Sequence, residues 1–252
     1  MVTRRLVVCL DVKGDRVVKG VQFESLRDVG DPLVLAQRYE ADGADEIVYL
    51  DISASAEERS TLLDLAKRTA ERLFIPLTIG GGIRSASDVA QALRAGADKV
   101  GVNTAAVETP EILTECAVRF GSQCIVASID AKRQGEAWLV YTRGGRTPTS
   151  LDAVTWAREC VRRGAGELLI TSIDRDGART GYDLELTAAI ADAVDVPVVA
   201  SGGAGSASDV CDALVRGRAD AALVAGILHD GVTTVQHIKR EMGRHGIPVR
   251  AA

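Results

Sequence analysis

Two aspartates close apolar runs in the same manner, in LVVCLD (6–11) and IVASID (125–130). A carboxylate at the end of an apolar strand is costly unless it meets solvent, a partner or a substrate. Held apart across one site, Asp11 and Asp130 can serve as general base and general acid, provided their surroundings set different pKa values. The plainer alternative is that each caps a loop through backbone N–H groups. A second constellation is Gly-rich: Gly80-Gly81-Gly82 and Gly202-Gly203 each follow an apolar run and lead into a helical pattern. Backbone N–H groups exposed in such turns suit a phosphate, and tight-turn chemistry alone is the alternative. Asn103-Thr104 and Ala225-Gly226 follow two further apolar runs and can complete one grip each. The combined reading is a bis-phosphate substrate stretched between two grips, with the Asp pair over its middle.

Elements that position these residues recur from end to end. Strand candidates are 5–11, 46–51, 77–80, 99–103, 124–130, 167–172, 198–201 and 221–225. Most are continuous apolar runs, as parallel strands covered on both faces require. Helix starts are marked by Asp31-Pro32, Thr109-Pro110, Ser85 and Ser206, and helix ends by Gly43, Gly96 and Gly164. Eight units in 252 residues leave about 31 residues each, the size of a (β/α)8 unit. The predicted fold is therefore an α/β (β/α)8 TIM barrel. An open doubly wound sheet is the rival, but no G-x-G-x-x-G follows the first strand. In a barrel the site lies at the C-terminal strand ends, where Asp11, Asp51, Asn103, Asp130, Thr171, Asp176 and Ser201 fall.

The chain also repeats itself. IPLTIGGGIRSASDV (75–89) matches VPVVASGGAGSASDV (196–210), and GADEIVYLD (43–51) matches GAGELLITS (164–172), both at an offset of 121 residues. LVVCLDVK (6–13) matches IVASIDAK (125–132). Residues 1–252 are thus expected to form one domain from two half-barrels, roughly 1–120 and 121–252, since neither half can close a sheet alone. Two insertions interrupt the pattern. Segment 12–30 carries Lys13, Arg16 and Lys19, with Gly14 and Gly20 as hinge candidates; it reads equally as a basic lid over an anion and as an ordered hairpin. Segment 131–149 reads as a small hairpin around Trp138 and Tyr141. At the opposite strand ends, Arg5, Glu46, Lys99 and Glu167 permit a ring of salt bridges, either a stability device or a polar gate.

Composition excludes several classes. Hydrophobic residues make up 46% and charged residues 26%, with a formal net charge of -5, which disfavours a nucleic-acid partner. No run of about 20 apolar residues offers a membrane span, and the first apolar stretch is too short for a signal peptide. The five cysteines stand singly, so neither a zinc site nor a disulfide framework is indicated. The chain reads as cytoplasmic, with no metal and no cofactor. Of the histidines, His237 and His245 read as exposed, and His229 as packing or capping near the site.

The segments CLDVKGDRVVKGVQFESLRDVGDP (9–32), GADEIVYLDISAS (43–55), GGGIRSASDV (80–89), GADKVGVNTAAV (96–107), FGSQCIVASIDAKR (120–133), GAGELLITSIDRDGARTGYD (164–183) and VVASGGAG (198–205) carry a resemblance over essentially the whole chain. It resembles the cyclase subunit of imidazole glycerol phosphate synthase, from histidine biosynthesis. The nearest relative reading is the sugar isomerase one step earlier, which shares the half-barrel repeat. The resemblance implies that ammonia adds to phosphoribulosyl-formimino-aminoimidazole carboxamide ribonucleotide, giving imidazole glycerol phosphate and aminoimidazole carboxamide ribonucleotide. It implies Asp11 and Asp130 as the catalytic pair and Lys19 as a lid lysine. One phosphate grip falls on Gly82, Asn103 and Thr104, the other on Asp176, Gly177, Gly203 and Gly226. Asp51, Thr171 and Ser201 fall around the substrate's middle. It further implies a separate glutamine amidotransferase docking on the N-terminal face, with Arg5, Glu46, Lys99 and Glu167 as the ammonia gate and Asp98 as a docking contact. Gly226 and Gly101 stand where the family often has Ser.

Overall fold

Each apolar run becomes a strand because its neighbours on both sides are apolar runs too. The computed structural model describes residues 2–21, 24–52 and 56–250. The first part of the chain forms β1 (Arg5–Lys13), β2 (Arg16–Val21), β3 (Glu24–Gly30), α1 (Pro32–Ala41), β4 (Glu46–Asp51), α2 (Ala56–Ala70), β5 (Leu77–Gly80), α3 (Ala86–Arg94), β6 (Lys99–Val102), α4 (Thr104–Glu108) and α5 (Glu111–Phe120). The remainder forms β7 (Ile125–Gln134), β8 (Ala137–Thr142), β9 (Thr147–Asp152), α6 (Ala153–Arg162), β10 (Glu167–Ser172), α7 (Leu184–Ala191), β11 (Val198–Ser201), α8 (Ala207–Val215), β12 (Ala221–Val224), α9 (Gly226–His229) and α10 (Val235–Arg244). The two runs share one order of elements, down to the short helix before each closing long one. Parallel pairings lead from β1 through β4, β5, β6, β7, β10, β11 and β12 back to β1. The result is a closed eight-stranded TIM barrel with the helices outside.

The expected bounds of β4, β5, β10 and β11 coincide with those observed. β1 and β7 run on past their aspartates, so strict alternation of strand and helix fails twice. Val12 and Lys13 pair with Val17 and Arg16, and 130–134 pair with 137–141, making antiparallel hairpins over the C-terminal mouth. Among the described residues of segment 12–30, β2 and β3 pair with each other as antiparallel strands; residues 22 and 23 of it lie outside the described residues. Thr109 is not the cap of α5. It closes α4, and Pro110 is the residue before α5.

Strand alternation sorts side chains into two layers. Leu6, Val8, Leu10, Ile47, Tyr49, Ile125 and Ile129 face the helices in the large core. Val7, Cys9, Val48, Val199, Ala221 and Leu223 fill the barrel interior, with Leu50, Leu169 and Ala225 against them. Helix α3 begins with Ser85 and α8 with Ser206, each in a full capping box with Asp88 and Asp209. At the barrel's N-terminal end one device recurs. Gly43 and Gly96 take left-handed φ of 96° and 101° to leave a helix, a buried Ala follows, and then an Asp. Asp45 accepts from Leu6 N–H and Asp98 from Leu77 N–H, both at 2.8 Å, stitching the start of one strand to the next. Arg218-Ala219-Asp220 repeats this onto Val198 N–H at 3.1 Å. In Gly164-Ala165-Gly166 the acid is absent because a Cβ at Gly166 would lie 2.3 Å from the Ser122 carbonyl.

Candidate active site

On β1 the interior positions are Arg5, Val7, Cys9 and Asp11, so the strand runs from the N-terminal ring to the C-terminal mouth. Six residues of strand span about 20 Å. Asp11 accepts from the Cys9 thiol at 3.8 Å. Burial pushes its pKa up; Lys19 opposes that shift and the Asp176 carboxylate adds to it. Asp130 accepts from Asn103 Nδ2 at 2.9 Å. Its pKa is pushed up to about 7, chiefly by burial and then by Asp176, with the Asn103 amide opposing. Among the described residues neither carboxylate accepts a backbone N–H, so the loop-cap reading of the pair fails. Both titrate in a desolvated mouth that they share with Asp176 and Lys19.

Strand register sets the wall around them. Thr171 stands beside Asp130 and Ser201 beside Thr171, giving a polar row across β7, β10 and β11. Asp51 is placed differently. It alternates with the inward Leu50 and stands on the outward parity of β4, and its carbonyl closes on the first glycine turn. A Cβ on Gly81 would lie 2.2 Å from that carbonyl, and Gly81 has φ 90°. Gly81→Ala is therefore expected to cost about 2–3 kcal/mol. A thermal melt reads this, and an unchanged midpoint would refute the fit.

Both grips are present as turns. Gly82 (φ 63°) and Gly203 (φ 108°) bend left-handed, and a Cβ at Gly203 would lie 2.3 Å from the Gly181 carbonyl. Just beyond them, the Arg84, Ser85 and Asp88 N–H groups bond within the first capping box, and those of Gly205, Ser206 and Asp209 within the second. Gly82 and Gly203 N–H groups find no acceptor among the described residues. Asn103 and Thr104 follow β6, which pairs with β5 just ahead of the first turn. Asn103 Oδ1 is buried without a partner among the described residues, and the Thr104 hydroxyl accepts from Arg143 N–H at 2.9 Å. Asp176 and Gly177 lie in the loop after β10, which folds onto the second turn through Gly181 N–H to the Gly203 carbonyl, 2.9 Å. Gly226 opens α9 just after β12, beside Arg179 of that same loop. At Gly101 a Cβ would meet Ser128 Oγ at 3.1 Å, so a hydroxyl from β7 already occupies that space.

At the N-terminal end the four charged residues close a ring. Arg5 bonds Glu46 at 2.8 Å and Glu167 at 3.2 Å, and Lys99 bonds both glutamates at 2.8 Å. Thr78 Oγ1 donates to Glu46 at 2.6 Å. Beside it a groove is lined by Ala70, Leu73, Phe74, Ile75, Pro76 and Asp98. His229 is a packing group. Its ring bonds the Tyr39 hydroxyl at 2.7 Å and the Cys9 carbonyl at 3.1 Å, and burial holds its pKa down at about 4. Among the described residues no group of three His, Cys, Asp or Glu could hold a metal ion. No helix among them is long and apolar enough to cross a membrane.

Comparison with known proteins decides the family. A family model described as "Histidine biosynthesis protein" matches residues 5–234. The chain belongs to this family. Among curated relatives, the "Imidazole glycerol phosphate synthase subunit HisF" of Myxococcus xanthus (strain DK1622) is 71% identical over 251 residues, covering 100% of this chain and 99% of that one. The protein of the same name from Thermosynechococcus vestitus (strain NIES-2133 / IAM M-273 / BP-1) is 55% identical over 258 residues, covering 100% and 92%. The histidine-biosynthesis family thus includes full-length relatives named as synthase subunits. Reading the sequence alone missed two contacts of this site: the Asn103–Asp130 bond, and Arg143 against Thr104. Both join segments that are distant along the chain. The shared polar ends of β6 and β7 were the only signal for the first.

Proposed function

We propose that this chain is the cyclase subunit of imidazole glycerol phosphate synthase in histidine biosynthesis, a lyase that uses ammonia. One observation carries the mechanism: two desolvated carboxylates, Asp11 and Asp130, face one mouth between two glycine-turn grips. The grips, Gly82 with Asn103 and Thr104, and Asp176, Gly177 and Gly203 with Gly226, hold the two phosphates of the substrate and fix its middle over the carboxylates. Thr171 and Ser201 line that middle. Burial raises the Asp11 pKa and Lys19 offsets part of that rise, so of the two carboxylates Asp11 is the one that takes protons from the attacking ammonia. Asp130, with a pKa about 7, gives a proton to the departing water as the imine forms. The imine nitrogen's attack on the formimino carbon then closes the ring; the adjacent CH2 loses a proton as the imidazole forms, and a proton passes to the leaving nitrogen as its bond to the former formimino carbon breaks, releasing aminoimidazole carboxamide ribonucleotide.

The same reading makes the chain one domain of two half-barrels, working in the cytoplasm with a separate glutamine amidotransferase. The partner docks on the N-terminal face, where the ring Arg5, Glu46, Lys99 and Glu167 gates ammonia entry. Phe74, 93% exposed beside the Asp98 groove, supports this, since an apolar ring left in water suits a covered surface. The test is turnover of the phosphoribulosyl substrate by the isolated chain, followed as its absorbance falls. Turnover is expected with ammonium salt, and with glutamine only once the amidotransferase is added. A folded chain that binds substrate but is inert even with its partner overturns the reading. Turnover of the formimino precursor without ammonia would instead assign the isomerase.

A further inference from the structure

The turns after β6 and β12 are backbone copies of one another. Asn103 has φ -120° and ψ -85°, and Ala225 has φ -141° and ψ -83°. Their side chains are not copies. The first turn offers the Thr104 hydroxyl, already engaged by Arg143 N–H. Gly226 offers no hydroxyl, and two cations close on it instead. A Cβ built there would lie 3.2 Å from Lys19 Cε, 3.8 Å from Lys19 Nζ and 3.6 Å from Arg179 Nη2. Lys19 comes from β2, and Arg179 from the loop after β10. Arg179 is held firmly: its backbone is left-handed at φ 55°, and a Cβ on Gly205 would lie 2.3 Å from its carbonyl. A non-glycine residue in that region marks a constrained turn. Arg179 Nη2 also pairs with Asp230, which Arg27 of β3 shares. Two cations therefore gather at Gly226, and Asp230 is the carboxylate that Arg179 and Arg27 both use.

We propose that Arg179 is a phosphate-binding residue of the second grip, supplying there the side-chain donors that Gly226 lacks. Asp230 holds the guanidinium in place until a phosphate takes over its Nη2 donor. The planar fork of arginine matches phosphate oxygens, and its bonds are charge-assisted. The proposal rests on the functional reading above and deepens it: the two grips become chemically unequal, one neutral and one cationic.

Arg179→Gln and Asp230→Asn separate this role from a brace. Each is compared with the wild-type full chain in ammonium-driven turnover, and each is titrated with inorganic phosphate. Arg179→Gln is expected to raise KM about tenfold with kcat nearly unchanged, and to weaken phosphate binding by a similar factor. Asp230→Asn, which frees the arginine, should leave KM unchanged or lower it. If the ion pair merely braces the loop, both variants raise KM alike, and the proposal falls. It falls also if Arg179→Gln leaves both readings unchanged or lowers kcat alone. Should wild type show no turnover, the functional reading fails by itself, and the phosphate titration still decides the role of Arg179.

Discussion

Asp130→Asn is expected to abolish turnover while making the fold more stable at alkaline pH. The asparagine keeps the shape and can still accept from Asn103 Nδ2, but it can neither give nor take the proton. Loss of a general acid or base costs about 10²–10⁴ in rate, and a carboxyl with a pKa about 7 is matched to neutral pH. The stability half follows by linkage. The folded pKa lies above the ordinary aspartate value of about 3.9 that the unfolded chain would show. The stabilising contribution is therefore fully present below about pH 4 and lost as pH rises through 7. Above that, the folded chain holds a desolvated carboxylate that the unfolded chain would hydrate. Three pKa units set an upper limit of about 4 kcal/mol, and water at the open mouth lowers it. The variant and wild type should melt together near pH 4 and diverge by several degrees above pH 8, with the variant higher. A carboxylate that merely caps a loop behaves oppositely, since its removal destabilises at neutral and alkaline pH. Melts across pH, run beside the turnover assay, separate the two.

What the chain discloses before folding is set by range. The barrel strands were legible because most are short, continuous apolar runs. The twofold design was legible because GADEIVYLD and GAGELLITS are near copies. The pairing of Asp11 with Asp130 at one mouth followed from both signals together. Less was legible where two distant segments decide the outcome. Segment 12–30 mixes charged and apolar residues, so its pairing into β2 and β3 shows only in register with β1. Helix α4 has five residues, too few to show a period, and so Thr109 was assigned to the wrong helix. The glycine turns were located correctly, but the N–H groups of Arg84, Ser85, Gly205 and Ser206, between each turn and its helix, are taken by Asp88 and Asp209. Asn103 was expected beside a phosphate; that it also bonds Asp130 depends on β6 lying next to β7.

The ring at the opposite end should show the largest effect on stability. Glu46→Ala removes a buried carboxylate that accepts from Arg5, Lys99 and Thr78 at once. Two cations then share Glu167 alone, inside a barrel with little water. Breaking a buried ionic cluster from one side costs about 3–5 kcal/mol, a fall in melting temperature on the order of 10 °C for a chain of this size. Removing one charge of each sign is a different experiment. In Glu46→Gln with Lys99→Met, Arg5 keeps Glu167, Thr78 can still donate to the amide oxygen, and no charge is left unmatched. Neutral replacement of a buried pair is often close to neutral in stability, so most of the melting temperature should return. The double variant then isolates the gate. If the ring only secures the strand ends, glutamine-driven and ammonium-driven rates keep their wild-type ratio once the fold is recovered. If it meters ammonia into the barrel from the partner's side, the glutamine-driven rate changes while the rate with ammonium salt in excess does not. An unchanged ratio in a double variant of recovered stability would return the ring to a structural role.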